Sequence, residues 1–240
     1  MISDIHANLA ALDAVLADIG AQAEAIWCLG DVVGYGPDPN ECVARLQERG
    51  IVSIAGNHDW ACLGRLDLAD FNPDAREACL WTADRLSKEG RAFLERLPVS
   101  RVLEDVTLVH GSPREPIWEY LTSPEVALEN LSFFETRICL VGHTHVPMVF
   151  HIPEGGAPLC RQRWLQGGEA LSLESGRWIL NPGAIGQPRD GDPRAAYLLL
   201  DTETLEVRIR RVPYAVETTQ RRMLEFGLPG SLIRRLAFGW

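Results

Sequence analysis

The sequence predicts an α/β (α+β) chain in which two packed β-sheets carry helices on their outer faces. Three observations predict this. Over roughly the first two-thirds of the 240 residues, short apolar runs alternate with amphipathic helical runs. From about residue 159 the pattern changes to closely spaced short strands. Polar clusters fall where apolar runs end, which is where open α/β sheets place their sites.

Each element follows from local chemistry. Residues 1–3 read as the stub of a strand that runs into Asp4-Ile5-His6. Alternate strand residues share a face, so Asp4 and His6 point the same way. In NLAALDAVLADIG, Leu9, Leu12, Val15, Leu16 and Ile19 form one helical stripe, with Asn8 as N-cap. AIWCLG reads as a short buried strand, and GDVVGYGPDP, rich in Gly and Pro, as a loop. PNECVARLQERG is an amphipathic helix that Gly50 stops. IVSIAG is a strand entering GNHD. Residues 73–97 read as helix, SRVLE and VTLVHG as strands, and 124–134 as helix. ICLVGHTHVPMVF is strand, turn, strand. CRQRWL, EALSL, RWILN, AAYLLLD and LEVRIRRV are short strands. In the last, Leu205, Val207 and Ile209 alternate with Glu206, Arg208 and Arg210, which implies one buried face. Residues 215–226 and 231–238 read as helices, and no internal repeat is present.

Composition narrows the class. With 46% hydrophobic residues, the chain can bury a large core, expected as one domain over residues 1–240 or at most two small ones. Mean hydropathy is −0.05, and no apolar run is long enough to span a bilayer. Asp-x-His lies so near the start that it leaves no room for a presequence, which predicts a cytoplasmic protein. Cys28, Cys42, Cys62, Cys79, Cys139 and Cys160 form no Cys-x-x-Cys pair and are expected to be free, mostly buried thiols. Net charge is −10 but uneven: residues 1–150 carry 11 Lys+Arg against 23 Asp+Glu, whereas 151–240 carry 12 against 10. The acidic first part argues against long nucleic acid bound across a broad face. A small phosphate-ester or nucleotide substrate stays open, provided a cation supplies positive charge.

Five polar clusters occur in order: Asp4-Ile5-His6, Gly30-Asp31, Gly56-Asn57-His58-Asp59, His110-Gly111 and Gly142-His143-Thr144-His145. They hold five of the six histidines, and His151 is the exception. Each alone fits a turn or capped loop, but jointly they suit two metal ions. Imidazole and carboxylate are good ligands for manganese, iron, cobalt, nickel or zinc. Two such ions can share a carboxylate and clamp both oxygens of a phosphoryl displacement. Asp4, His6, Asp31, Asn57, His110, His143 and His145 are seven candidate ligands, enough if one carboxylate bridges.

This ordered series, spread over residues 4–145, resembles that of the calcineurin-like metallophosphoesterases. The resemblance implies a four-layer αββα sandwich over nearly the whole chain, and two divalent metal ions, with manganese favoured. It implies that Asp4, His6 and His145 hold the first ion, that Asp31 bridges, and that Asn57, His110 and His143 hold the second. His58 would protonate the leaving oxygen or stabilise charge there, while hydroxide formed at the ion pair attacks phosphorus. Asp59 has two readings, as a partner that orients His58 or as a helix N-cap.

Two departures from the family pattern stand out. A whole strand normally precedes Asp-x-His, whereas only Met1, Ile2 and Ser3 do so here, which predicts a poorly anchored first ligand pair. Protein-phosphatase and symmetrical dinucleotide-hydrolase branches carry Gly-Asp-x-x-Asp-Arg-Gly, and here Gly34 and Tyr35 take the Asp and Arg places. GDVVGYGPDPNEC, HGSPREPIWEYL and NPGAIGQPRDGDPRAAY instead resemble the small bacterial phosphodiesterase, diadenosine-tetraphosphatase-like branch.

Candidate substrate contacts follow. The backbone at Asn181 to Gly183 could approach the metals, or could form only a tight turn. Arg189 and Arg194 could grip phosphate or pair locally with Asp190 and Asp192. Trp118 and Tyr120 could stack on a base or plug the core. Arg208, Arg210 and Arg211 are expected on a solvated strand face. Arg221, Arg222, Arg234 and Arg235 are expected on exposed helix surface or at a homo-oligomer contact. The expected function is a binuclear phosphoesterase acting on small phosphodiesters or dinucleotide polyphosphates. Its rivals are a phosphomonoesterase with the same site and a non-catalytic scaffold of this fold.

Overall fold

The computed structural model describes residues 1–155, 159–173 and 175–240. In chain order the elements are α1 (Leu9–Ile19), β1 (Trp27–Cys28), α2 (Pro39–Glu48), β2 (Val52–Ser53), α3 (Asn57–Cys62), α4 (Pro73–Arg85) and α5 (Lys88–Glu95). Then come β3 (Ser100–Leu103), β4 (Val106–Val109), α6 (Pro124–Glu129), β5 (Ile138–Leu140), β6 (Pro147–Ile152), β7 (Arg161–Trp164) and β8 (Ala170–Ser172). The last are β9 (Arg177–Pro182), β10 (Ala195–Asp201), β11 (Glu206–Val212), α7 (Val216–Glu225) and α8 (Gly230–Arg235).

Two sheets pack face to face. One has six strands in the order β3-β4-β5-β9-β6-β7, with β4, β5 and β9 mutually parallel. The other is built from the parallel pair β1-β2 and the antiparallel group β10-β11-β8. Met1 and Ile2 close the gap between those two groups. The Ile2 N–H donates to Trp27 (2.8 Å), the Leu29 N–H to Ile2 (2.9 Å) and the Leu198 N–H to Met1 (3.1 Å). Ile2 and Ile5 are fully buried, each contributing about 2 kcal/mol. The short first strand is therefore paired on both sides, which corrects the expectation of a poorly anchored start.

Apolar alternation explains the layers. Leu108, Leu140 and Leu180 of the larger sheet meet Leu198, Val207 and Ile209 of the smaller one in the central core. The smaller sheet's outer face takes Leu12, Val15 and Leu16 of α1 and Cys42, Val43 and Leu46 of α2. The larger sheet's outer face takes Ala127 of α6 against Cys139, Phe150 and Ile179. The result is the αββα sandwich. All six cysteines are free and buried.

Several boundaries differ from expectation. The strand expected over residues 25–30 shrinks to β1, because Gly30 and Asp31 turn with φ of 93° and 51°. The helix expected over residues 73–97 breaks into α4 and α5 where the Ser87 hydroxyl caps Gly90 (2.9 Å). Residues 57–62 form a helix that begins inside the GNHD cluster, ahead of the helix start that an N-cap at Asp59 would have given. Arg211 pairs with Asp190 and its side chain is buried, off the solvated face, whereas Arg208 is exposed and Arg210 pairs with Asp18 of α1 (2.9 Å) while keeping about a third of its side chain in solvent. Arg222 pairs with Asp38. No helix among the described residues is long and apolar enough to cross a membrane.

Candidate metal centre

The five clusters converge at one end of the sandwich, as strand ends require. All seven candidate ligands are buried, none more than 4% exposed. Asp4, His6, Asp31 and His145 form one group able to hold a metal ion, and Asp31, His110 and His143 form another. Asp31 belongs to both. Its Oδ2 lies 3.6 Å from His6 Nε2 and 3.4 Å from His110 Nε2. Asp4 Oδ1 is 3.3 Å from His145 Nε2, and His6 Nε2 is 3.1 Å from His145 Nε2. Asn57 Oδ1 approaches His110 Nε2 at 3.1 Å, which brings Asn57 to the second group.

This arrangement fits divalent cations. Asp4 Oδ1 and Asp31 Oδ2 are buried acceptors with no hydrogen-bond partner among the described residues. Leaving such groups unpaired is costly, and a cation satisfies both. The histidine tautomers point the same way. A carbonyl oxygen only accepts, so His110 Nδ1 donates to Leu29 (2.8 Å), His145 Nδ1 to Gln187 (2.5 Å) and His143 Nε2 to Trp118 (3.1 Å). Each bond leaves the other ring nitrogen with its lone pair free, which is how metal-binding imidazoles are held.

The backbone is bent to achieve this. Asp4, His6, Asp31, His143 and His145 all have φ between 48° and 65°, the left-handed region. Non-glycine residues rarely adopt it, and such conformations concentrate at functional sites. Gly56 shows how tight the packing is, because a Cβ there would sit 2.1 Å from Asp31 Oδ1.

Electrostatics match the donor set at three of its four imidazoles; at His110 burial opposes the proton, but the Asp31 carboxylate outweighs it and raises the group to about 9. Burial holds the imidazoles of His6 and His145 well below their ordinary range and lowers His143 to about 3. Burial alone would raise Asp31, but the neighbouring His110 and His58 pull it well below the carboxylate range. Burial raises Asp4 to about 6. For His58, burial opposes the proton, yet Tyr35, Cys79 and Asp31 outweigh it and lift the group to about 10.

His58 stands beside the cluster, its ring 4.8 Å from that of His6 and 4.3 Å from that of Tyr35. Asp59 does not orient it. The Asp59 carboxylate accepts from the Gly56 N–H (2.9 Å) and the Val33 N–H (3.1 Å), as the first turn of α3 requires. Gly56 is the N-cap of α3 and Asp59 its third residue, so these bonds tie down the start of the helix. The atom next to His58 Nδ1 is Cys79 Sγ, at 3.3 Å. Cys79 comes from α4, and in the sequence it looks like one more buried helix residue. A Cβ on Gly34 would lie 2.7 Å from His58 Nδ1, so the glycine leaves that space to the ring.

The other expected contacts divide. The Asn181 side chain donates to Gly142 (2.7 Å) and Thr144 (3.0 Å) and accepts from the Gly183 N–H (2.8 Å). It is fully buried and braces the His143–His145 turn, with Gly183 at φ 75° completing the bend. Arg194 pairs with Asp192 (2.6 Å). Arg189 instead reaches the Tyr35 hydroxyl (3.3 Å) and Gln187 (3.0 Å). Trp118 is 38% exposed at the rim, and Tyr120 stacks on His143 at 3.8 Å. Gln187, Tyr35 and Arg235 gather here too, and no motif in the sequence marked them as a group.

Comparison with known proteins agrees with this geometry. Residues 1–205 match the calcineurin-like phosphoesterase superfamily domain, and the chain belongs to that superfamily of metallophosphoesterases. It is 37% identical to an uncharacterised protein of Methanocaldococcus jannaschii, over 100% of this chain and 97% of that one. It is 49% identical to a metallophosphoesterase of Sphaerobacter thermophilus of known crystal structure, with a TM-score of 0.90, covering 100% of this chain and 98% of that one. A hypothetical protein of Pyrococcus horikoshii shares the fold at 22% identity and a TM-score of 0.79, covering 100% and 97%. Membership of that superfamily marks the chain as a phosphoester hydrolase, with residues able to hold metal.

Proposed function

We propose that the chain, as one domain over residues 1–240, is a binuclear phosphoesterase acting on small phosphodiesters or dinucleotide polyphosphates, with manganese as the preferred metal. The observation that carries this is Asp31, whose carboxylate is shared by two groups of metal-binding residues. Asp4, His6 and His145 would hold one ion with Asp31, and Asn57, His110 and His143 the other. When bound, the ions supply Lewis-acid stabilisation of phosphoryl oxygens and a water acidic enough to ionise near neutral pH.

The chain's own groups do the rest. His58 holds a proton and gives it to the leaving oxygen from Nε2, because Nδ1 is engaged by Cys79 Sγ. Cys79 thereby fixes the ring's direction. Arg189 offers a guanidinium fork to substrate phosphate, and Trp118 offers a rim surface for a base. The six free, buried thiols suit a reducing, cytoplasmic setting.

Hydrolysis of bis(p-nitrophenyl) phosphate and of p-nitrophenyl phosphate by manganese-loaded protein tests the substrate class. Faster turnover of the diester supports the proposal. Exclusive turnover of the monoester would make the chain a phosphomonoesterase, and no turnover of either would favour a scaffold.

A further inference from the structure

Arg189 and Arg235 come from distant parts of the chain and meet on one atom. Arg189 Nη2 donates to Gln187 Oε1 at 3.0 Å, and Arg235 Nη1 to the same oxygen at 3.3 Å. Among the described residues neither forms an ion pair with an Asp or Glu side chain. Of the nearby acids, Asp190 pairs with Arg211 and Asp192 with Arg194, while Asp74 accepts from the Ser231 hydroxyl and acts on Arg235 only through its charge. Arg235 Nε donates to the backbone oxygen of Trp240. Two like charges sharing one neutral oxygen repel each other, and an anion placed between them would relieve that repulsion.

Two further donors lack partners. Gln187 is 1% exposed, yet its Nε2 is buried with no hydrogen-bond partner, as is Arg189 Nε. Their position relative to the metal centre is fixed. The Arg189 N–H donates to the carbonyl of His145 (3.3 Å), and its guanidinium touches the hydroxyl of Tyr35 (3.3 Å). The Tyr35 ring lies 4.6 Å from that of His6. Both arginines are half-buried, so each keeps an approach from solvent.

Resting on the phosphoesterase reading above, we propose that Arg189, Arg235 and the Gln187 amide form a second anion subsite beside the metal centre. It receives a phosphoryl group other than the one cleaved. The favoured substrates are then esters with at least two linked phosphates, and plain phosphodiesters are poorer ones. The arginine forks suit phosphate oxygens in a way that a lone ammonium does not.

Calorimetry on manganese-loaded protein, with manganese in excess, compares inorganic pyrophosphate with orthophosphate. Pyrophosphate is expected to bind at least about ten-fold more tightly than orthophosphate. Arg189→Gln and Arg235→Gln should each reduce that advantage several-fold, and the double variant should abolish it, with metal content unchanged. An advantage that is absent in the wild type, or that survives in the double variant, overturns the subsite. In parallel, the ratio of kcat/KM for diadenosine tetraphosphate to that for bis(p-nitrophenyl) phosphate should fall about ten-fold or more in either single variant. A wild type that hydrolyses neither ester overturns the phosphoesterase reading, while the pyrophosphate comparison still decides the subsite.

Discussion

Adding one methyl group to Gly56 should empty the metal centre without replacing any ligand. A Cβ at this position would lie 2.1 Å from Asp31 Oδ1 and 2.4 Å from the Asp31 nitrogen. Ordinary contact needs about 3.4 Å or more. The carboxylate would have to retreat by about 1.3 Å, or the α3 end of the loop would have to move as far. Backbone strain is not the cause, because Gly56 has φ −107°, which alanine accepts. Overpacking of this kind costs roughly 1–3 kcal/mol, or about 2–4 °C in Tm per kcal/mol for a chain of this size. A displacement of about 1 Å in a reacting constellation costs on the order of a hundred-fold in rate. The assay is metal content by mass spectrometry after gel filtration, with hydrolysis of bis(p-nitrophenyl) phosphate. Gly56→Ala should stay folded, lose metal and lose about a hundred-fold or more in turnover. A variant that keeps two ions and full turnover would show that Asp31 is not held where the contact places it.

Three other predictions follow from particular contacts. Cys79→Ala removes the hydrogen-bond partner of His58 Nδ1 among the described residues and should lower kcat roughly ten-fold at unchanged metal content, with Cys79→Ser restoring part of it; an unchanged kcat would remove Cys79 from the mechanism. Asn181→Ala deletes three buried hydrogen bonds and should cost about 2–4 kcal/mol and weaken metal retention, as read by urea unfolding and metal content; a loss under about 1 kcal/mol would refute its role as a brace. The Tyr197 hydroxyl, at 2.6 Å, and Arg210 lower the pKa of Asp18 below its ordinary 3.8. A depressed carboxylate adds stability above its unfolded pKa and loses it as pH falls through the folded one. Metal-free wild type should therefore exceed Asp18→Asn by about 1 kcal/mol near pH 6, with the gap closing below about pH 4. A gap that does not narrow as the pH falls from 6 to 2 would contradict this.

Much of the fold was legible in the sequence because hydrophobic periodicity reports burial directly. Leu12, Val15, Leu16 and Ile19 of α1 and Val207 and Ile209 of β11 are buried as their spacing required. What stayed hidden depended on partners far along the chain. Residues 1–3 looked like the stub of a strand, and their pairing comes from residues 27–29, 185 and 198. The helix expected over residues 73–97 broke at a serine cap, a local competitor that periodicity does not register. The clustering of the seven candidate ligands was legible because imidazole and carboxylate after strand ends carry their own chemistry. Cys79 was not, because a buried thiol on a helix stripe reads as core until the fold sets it against His58. Arg211 and Arg235 read as surface for the same reason: their partners, Asp190 and Gln187, lie on a loop far from them in sequence.

The most direct test of the central claim is the number of manganese ions bound per chain in the wild type and in Asp31→Asn, measured after stripping and reloading. The shared carboxylate predicts two ions in the wild type and weakened retention of both in the variant. A wild type that binds one ion, or a variant that loses only one of two, would contradict a centre bridged by Asp31.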